Sequence, residues 1–153
     1  MHNANEPGTV RAAQTILGFD FGAKRIGVAV GNTLTSHAQA LTTLHVESNA
    51  ARLGAVAQLV AQWQPASFVI GQPEHADGRP HEVAHQAKKF GNRLQEKFRL
   101  PVVYVNETLS SAEASSILGA RGVKGIAQKA EIDAVAAQVI LQSYLDEQVR
   151  HAA

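Results

Sequence analysis

Residues 16–31 read ILGFDFGAKRIGVAVG, and this stretch decides the fold class. The run from Ile16 to Asp20 is typical of a buried strand, and the run from Ile26 to Gly31 is typical of a second one. The glycine-containing turn between them is short enough for a β-hairpin. Gln39 to Val46 predict a third strand, so the chain begins as an antiparallel sheet.

Further along the chain, apolar residues fall at helical spacing, and short apolar runs separate the helical segments. Strands are predicted over residues 67–71 and 101–106, and helices over 53–63, 80–98, 110–120 and 128–148. The fold class is therefore α/β, a mixed five-stranded sheet flanked by helices, with three antiparallel strands and then βαβ-type parallel strands. We expect a flexible N-terminal tail over residues 1–14 and a single domain over residues 15–149.

The composition is that of a globular domain, with 45% hydrophobic and 18% charged residues. The absence of cysteine excludes disulfides, thiolate nucleophiles and Cys-based zinc sites. No apolar run is long enough for a membrane span, and the N-terminus lacks a signal-peptide pattern, so we expect a cytoplasmic protein. The net charge of +1 indicates nothing about nucleic acid by itself.

The distribution of charge is more informative than its sum. From Arg79 to Arg99 there are six bases and two acids. Such a stretch could attract phosphate. Taken alone, it is more often an ordinary solvated helix face.

Two acids stand at the ends of predicted apolar strands. Asp20 ends the first strand, and Glu107 follows the strand over residues 101–106 by one residue. Ligand sites in open α/β sheets form at the carboxyl ends of strands. If the two strands are parallel neighbours, the two carboxylates lie side by side, although either acid alone would pass for a solvated loop residue.

Asp133 is placed differently, inside an apolar helix. Glu131, Gln138 and Gln142 define the expected solvent-facing stripe of that helix. At ~100° per residue, Asp133 lies about 200° from Glu131 and shares its face with Ile140. A carboxylate on a core-facing stripe is costly unless it is compensated. The helix dipole or a nearby base would account for Asp133 alone, but not for three acids converging.

Clustered carboxylates repel each other, and a metal cation relieves the repulsion. Ligands that are all oxygen favour Mg²⁺ or Mn²⁺ over zinc. A pair of such ions ~4 Å apart can activate water and stabilise the leaving oxygen of a phosphodiester. We therefore take Asp20, Glu107 and Asp133 as candidate metal ligands and catalytic residues.

Four further residues are candidates for substrate binding. Gly22 would permit a tight turn, Lys24 and Arg25 place two cations just beyond Asp20, and Asp77 lies in a loop expected at the same sheet edge. These cations would contact substrate phosphate. A plain hairpin with exposed bases is the alternative, because acid-Gly-base hairpins also open sugar-kinase and actin-like nucleotide domains.

His81-Glu-Val-Ala-His85 matches the zinc-protease pattern H-E-x-x-H. Helical spacing places both histidines roughly 160–200° from Val83, on the side away from the apolar face. No third histidine follows at the extended spacing. We therefore reject a zinc protease.

These stretches resemble the YqgF family, also called RuvX, of Holliday-junction-resolvase-like proteins and pre-16S rRNA nucleases. The hairpin GFDFGAKRIGVA over residues 18–29 is similar to the family's opening, and GQPEHADG over residues 71–78 is similar to its Gly-Pro-Asp-Gly loop. NETLS over residues 106–110 stands where Asp-Glu-Arg-Leu-Ser/Thr is usual, and residues 132–145 resemble the closing helix. The match spans about residues 15–147 in the family's order.

The resemblance implies a ribonuclease-H-like fold, a divalent metal held by Asp20, Glu107 and Asp133, and a role in rRNA maturation in the bacterial cytoplasm. Two positions depart from the family pattern. Asn106 replaces an aspartate, and Thr108 replaces an arginine that would contact phosphate or a carboxylate.

The leading hypothesis is a metal-dependent endonuclease acting in 5′ maturation of pre-16S rRNA, with a ribosomal or pre-ribosomal particle as partner. A Holliday-junction-resolvase-like DNA nuclease is the first alternative, and a symmetric substrate of that kind would suggest a homodimer. The departures at Asn106 and Thr108 motivate a second alternative, a catalytically weak RNA-binding assembly factor. Actin-type nucleotide binding is a third, for which the chain is short.

Overall fold

A computed structural model describes residues 13–22, 24–45, 48–72, 82–106 and 125–152. The strands in these ranges are β1 (Thr15–Phe21), β2 (Ile26–Asn32), β3 (His37–Leu44), β4 (Ser67–Gln72) and β5 (Val102–Asn106). The helices are α1 (Asn49–Trp63), α2 (Glu82–Phe98) and α3 (Gly125–Ala152). The predicted helix over residues 110–120 lies outside the described residues.

The five strands form one mixed sheet in the order β3-β2-β1-β4-β5. β1 pairs antiparallel with β2, and β2 pairs antiparallel with β3. On its other side β1 pairs parallel with β4, and β4 pairs parallel with β5. The predicted mixed sheet is therefore confirmed, with the hairpin strand β1 at its centre.

Successive side chains of a strand point to opposite faces of the sheet, so each strand contributes to two separate cores. One face of β1 contributes Leu17, Phe19 and Phe21 to a core that α1 and α2 cover. The rings of Phe19 and Phe90 meet edge to face at 5.6 Å, a favourable aromatic geometry. The other face of β1 points toward α3, and Ile16 packs there with Ile140 and other residues of that helix.

Two glutamines tie α3 to the start of β3. Gln142 accepts a hydrogen bond from the Ala38 backbone N–H at 2.9 Å and donates one to the Ser36 carbonyl at 2.8 Å. Gln138 donates to the Ala38 carbonyl at 3.0 Å. The expectation that these glutamines face solvent was wrong, because α3 lies close enough to β3 for their amides to satisfy its backbone.

None of the helices in the described ranges combines the length and the hydropathy that a membrane span requires.

Candidate functional site

Asp20 lies near the carboxyl end of β1 and is partly exposed. Side chains alternate along a strand, so Asp20 shares its sheet face with Ile16, which packs toward α3. Its partner on β2 is Gly27, and its partner on β4 is Gly71. Two positions without side chains therefore flank the Asp20 carboxylate on the face that α3 covers.

Both glycines allow α3 to approach the sheet closely. A Cβ at Gly27 would overlap the main-chain carbonyl of Asp133, and a Cβ at Gly71 would overlap the side chain of Ile140. The backbone of Asp133 thus rests on the residue paired with Asp20. Two acids far apart in sequence, Asp20 on β1 and Asp133 on α3, therefore lie on either side of the same glycine position.

The Asp133 carboxylate contacts a base from the β1–β2 turn. Its Oδ2 lies 2.8 Å from Nε of Arg25, and the two side chains are 19% and 41% exposed. Oδ2 is nevertheless a buried oxygen without a well-formed hydrogen bond. An N–H group that is poorly aligned with the oxygen gives a short distance without a hydrogen bond. The contact between Arg25 and Asp133 is therefore an ion pair without a well-aligned hydrogen bond.

The environment of Asp133 disfavours its charged form. Burial raises the pKa of the Asp133 carboxyl above its ordinary value of 3.8, while the charges of Arg25 and His45 oppose this shift. Burial is the largest of the three effects. A partly dry carboxylate with one poorly satisfied oxygen is a position that an added cation would stabilise.

We predict a pH-dependent stability cost from this carboxyl in the metal-free protein. Because its pKa is raised on folding, the native state holds the proton to higher pH than the unfolded state does. The free energy of unfolding therefore falls as the pH rises from about 4 through the raised pKa. Asp133→Asn should remove this part of the decline, as measured by urea denaturation in chelator at several pH values.

Asp146→Asn is the matched control, because Asp146 is exposed on the same helix. That variant should keep the pH profile of the wild type. An Asp133→Asn profile that also coincides with the wild type would contradict the assignment of the cost to Asp133.

The remaining predicted residues divide between described and undescribed parts of the chain. Glu107 and Asp77 lie outside the described residues. The strand β5 ends at Asn106, and Asn106 pairs with Gln72, the residue that follows Gly71. Gly22 lies against the carbonyl oxygen of Arg25, where a Cβ would not fit, so it closes the turn.

Within the described ranges, no group of three or more His, Asp or Glu side chains is placed to hold a metal ion. This finding covers Asp20 and Asp133 but not Glu107, the third predicted ligand. His85, the second histidine of the rejected zinc motif, is exposed on α2. Its exposure agrees with the outward orientation that helical spacing predicted.

Two contributors to the site escaped the sequence reasoning. Gly71 was noted as a strand end and as the start of the loop over residues 71–78, but its place beside Asp20 depends on the parallel register of β1 and β4. No sequence pattern pointed to His45, yet its charge lowers the pKa of the Asp133 carboxyl. A glycine ending an apolar strand was the available signal for the first, and we see none for the second.

Comparisons of sequence give consistent matches along the chain. A family model described as "RuvX: Holliday junction resolvase" matches residues 14–147. A protein of Burkholderia ambifaria strain MC40-6, named "Putative pre-16S rRNA nuclease", is 50% identical over 137 residues, covering 90% of this chain and 92% of its own. A protein of the same name from Dechloromonas aromatica strain RCB is 50% identical over 132 residues, covering 86% and 90%.

Solved structures with a similar fold are more distant in sequence. Thermus thermophilus RuvC in complex with a Holliday junction substrate matches with a TM-score of 0.58 and 14% identity, covering 90% of this chain and 96% of that chain. Fowlpox virus resolvase with Holliday junction DNA matches with a TM-score of 0.53 and 13% identity, covering 88% and 99%. At such identity the likeness shows the fold alone, and the predicted ribonuclease-H-like fold is confirmed.

Proposed function

Since this chain belongs to the RuvX family, and is thereby a nuclease and a hydrolase, we propose that it cleaves precursor 16S rRNA with the help of divalent cations. The observation that carries the metal-dependent part is that Gly27 pairs with Asp20 and lies against the backbone of Asp133. A carboxylate with a buried, poorly satisfied oxygen is suited to a cation. The names of the relatives support the choice of substrate.

The residues fit a hard cation with oxygen ligands. Asp20 and Asp133 would bind it, and we propose that Glu107 completes the carboxylate set, giving Mg²⁺ or Mn²⁺ as the metal. Such ions would activate the attacking water and stabilise the leaving oxygen. The protein's contribution would be to fix two carboxylates on rigid elements, the central strand β1 and the helix α3, whose main chain rests on Gly27 of the neighbouring strand β2.

Arg25 would do more in this site than bind substrate phosphate, because it contacts Asp133. In the metal-free protein its Nε lies 2.8 Å from Oδ2 of Asp133. A cation bound at Asp133 would compete with that contact. Arg25, which is 41% exposed, could then turn toward substrate phosphate, while Gly22, Lys24 and Asp77 would complete the substrate-binding edge.

We predict that Arg25→Gln raises the affinity of the protein for Mn²⁺ about two- to fivefold. The reason is that the variant removes a competing cation from Asp133, and a half-exposed ion pair contributes up to about 1 kcal/mol. Isothermal titration calorimetry of the metal-free protein with MnCl₂ measures this without any substrate.

Lys24→Gln is the matched control, since Lys24 is the neighbouring exposed base and Arg25 is the residue paired with Asp133. Its Mn²⁺ affinity should stay within experimental error of the wild type. A loss of affinity in Arg25→Gln would show that Arg25 supports the metal site rather than competing for it.

The test of the proposed function is a cleavage assay on precursor 16S rRNA and on four-way DNA junctions in parallel, with Mg²⁺ or Mn²⁺. Cleavage of the rRNA at its 5′ region, lost in the variants of the three acids, supports the proposal. Cleavage of the junction alone would favour the resolvase alternative, to which the family description points. RNA binding with no cleavage under Mn²⁺ would favour an assembly factor, which the departures at Asn106 and Thr108 motivate.

If the substrate is precursor 16S rRNA, the partner would be a pre-ribosomal particle and the protein would act in the bacterial cytoplasm. A homodimer is part of the proposal only for a two-fold symmetric substrate such as a DNA junction.

A further inference from the structure

A basic cleft of about 470 Å³ lies beside the β1–β2 turn. Its lining includes four bases, Lys24 from the turn, Arg52 from α1, and Lys89 and Arg93 from α2. None of the described residues that line it is acidic. Three separate segments of the chain thus direct positive charge into one concave surface.

The cleft and the carboxylates lie on opposite faces of the sheet. Phe90 at the base of the cleft belongs to the core under α1 and α2, whereas Asp133 belongs to α3 on the other face. The β1–β2 turn joins the two sides, because Lys24 lines the cleft and the next residue, Arg25, contacts Asp133. The cleft is therefore separate from the proposed metal site and shares a rim with it.

The charges of the cleft are arranged against ordinary helix preferences. The first turn of α1 carries no acid, and the base Arg52 follows it directly, although the positive end of a helix dipole favours acids there. Lys89 and Arg93 are four residues apart on α2, where like charges repel. A bound polyanion would relieve both conflicts.

Arg52 is held in position before any ligand arrives. Its guanidinium lies 5.4 Å from the ring centroid of Phe21 and donates a hydrogen bond to Asn49 at 3.2 Å. Lys24, Lys89 and Arg93 are exposed, so their charged groups are accessible. Phe90 is only 4% exposed, so it offers no surface for base stacking.

We propose that this cleft binds the sugar-phosphate backbone of the nucleic-acid substrate outside the cleavage point, without reading its sequence. The proposal rests on the proposed function for the identity of the ligand. Because the cleft and the proposed metal site lie on opposite faces of the sheet, the bound phosphates would belong to nucleotides other than the one that is cut.

The test compares two double variants of equal charge on the same helix. Lys89→Gln/Arg93→Gln removes two of the four positive charges of the cleft. Lys88→Gln/Lys97→Gln removes two bases that contact Tyr104 and Phe98 instead. Binding is measured in chelator by fluorescence anisotropy, with a labelled single-stranded RNA of about 30 nucleotides, longer than one small domain covers. A labelled four-way DNA junction forms the second arm, and circular dichroism confirms folding.

We expect the cleft pair to bind RNA about tenfold more weakly at low salt. We also expect its slope of log affinity against log salt to be shallower by about 1.4, since each phosphate contact on a single strand contributes about 0.7. The control pair should stay near the wild type. Equal losses in both pairs, or no loss in the cleft pair, would overturn the proposal.

The two proposals can fail separately. If the wild type cleaves no substrate while the cleft pair still loses binding, the nuclease proposal fails and the cleft remains. If the wild type cleaves RNA and the cleft pair retains full binding and KM, the cleft proposal fails alone. A loss confined to the DNA junction would keep the cleft and change its ligand from RNA to DNA.

Discussion

Asp20→Asn is expected to lower metal-dependent phosphodiester cleavage about a thousandfold while the protein remains folded. The substitution keeps the size of the side chain but removes a charge that cations require, and a thousandfold loss corresponds to about 4 kcal/mol of transition-state stabilisation. Asp20 is only partly buried, on the central strand of the sheet. Cleavage rates at saturating Mg²⁺ or Mn²⁺, with circular dichroism of the same samples, measure the effect.

Asp146→Asn provides the matched control for this loss. Asp146 is exposed on α3 and accepts a hydrogen bond from Gln142 at 3.1 Å, which an asparagine oxygen can also accept. This variant should cleave at the wild-type rate. Undiminished cleavage by Asp20→Asn would remove Asp20 from the catalytic site.

Gly27→Ala should produce the largest loss of stability. The added methyl group would lie closer than 3.0 Å to two main-chain atoms, the carbonyl O and C of Asp133, and 3.0 Å from the N of Ala134. A helix backbone cannot yield as a flexible side chain can, so α3 would have to move off the sheet. We expect the free energy of unfolding to fall by about 3 kcal/mol, or roughly 6–12 °C in Tm, measured by urea and thermal denaturation.

Gly54→Ala is a glycine-to-alanine control with the opposite expected sign. Gly54 lies inside α1, and a Cβ there would meet nothing within 4 Å. Alanine should raise the free energy of unfolding by about 0.5–1 kcal/mol, because it restricts the unfolded chain and favours helix. If both variants changed stability in the same direction, the close contact at Gly27 would not explain its effect.

The parts of the fold set by local pattern were predictable from the sequence. The β1–β2 hairpin follows from two apolar runs around a glycine turn, and the alternation along β1 follows from strand geometry. The orientation of Asp133 toward the sheet follows from helical spacing, because one helix face carries the apolar residues. These inferences need only the periodicity of single elements.

The parts set by contacts between elements were not predictable. The ion pair of Arg25 with Asp133 depends on how closely α3 packs on Gly27. The sequence of a single segment does not determine that distance. Gln138 and Gln142 were assigned to solvent because a helical wheel does not show that the backbone of β3 lies within reach. The basic cleft likewise combines a turn with two helices, so the bases of α2 appeared in the sequence as an ordinary solvated face.

The last described helix supplies Asp133, and its docking has a consequence for synthesis. Asp20 emerges from the ribosome early, but its proposed partner arrives only after every strand of the sheet has been made. A growing or truncated polypeptide without this helix therefore lacks one of the two carboxylates. If the two acids hold the catalytic cations as proposed, cleavage of nucleic acid cannot begin until translation of this region is complete.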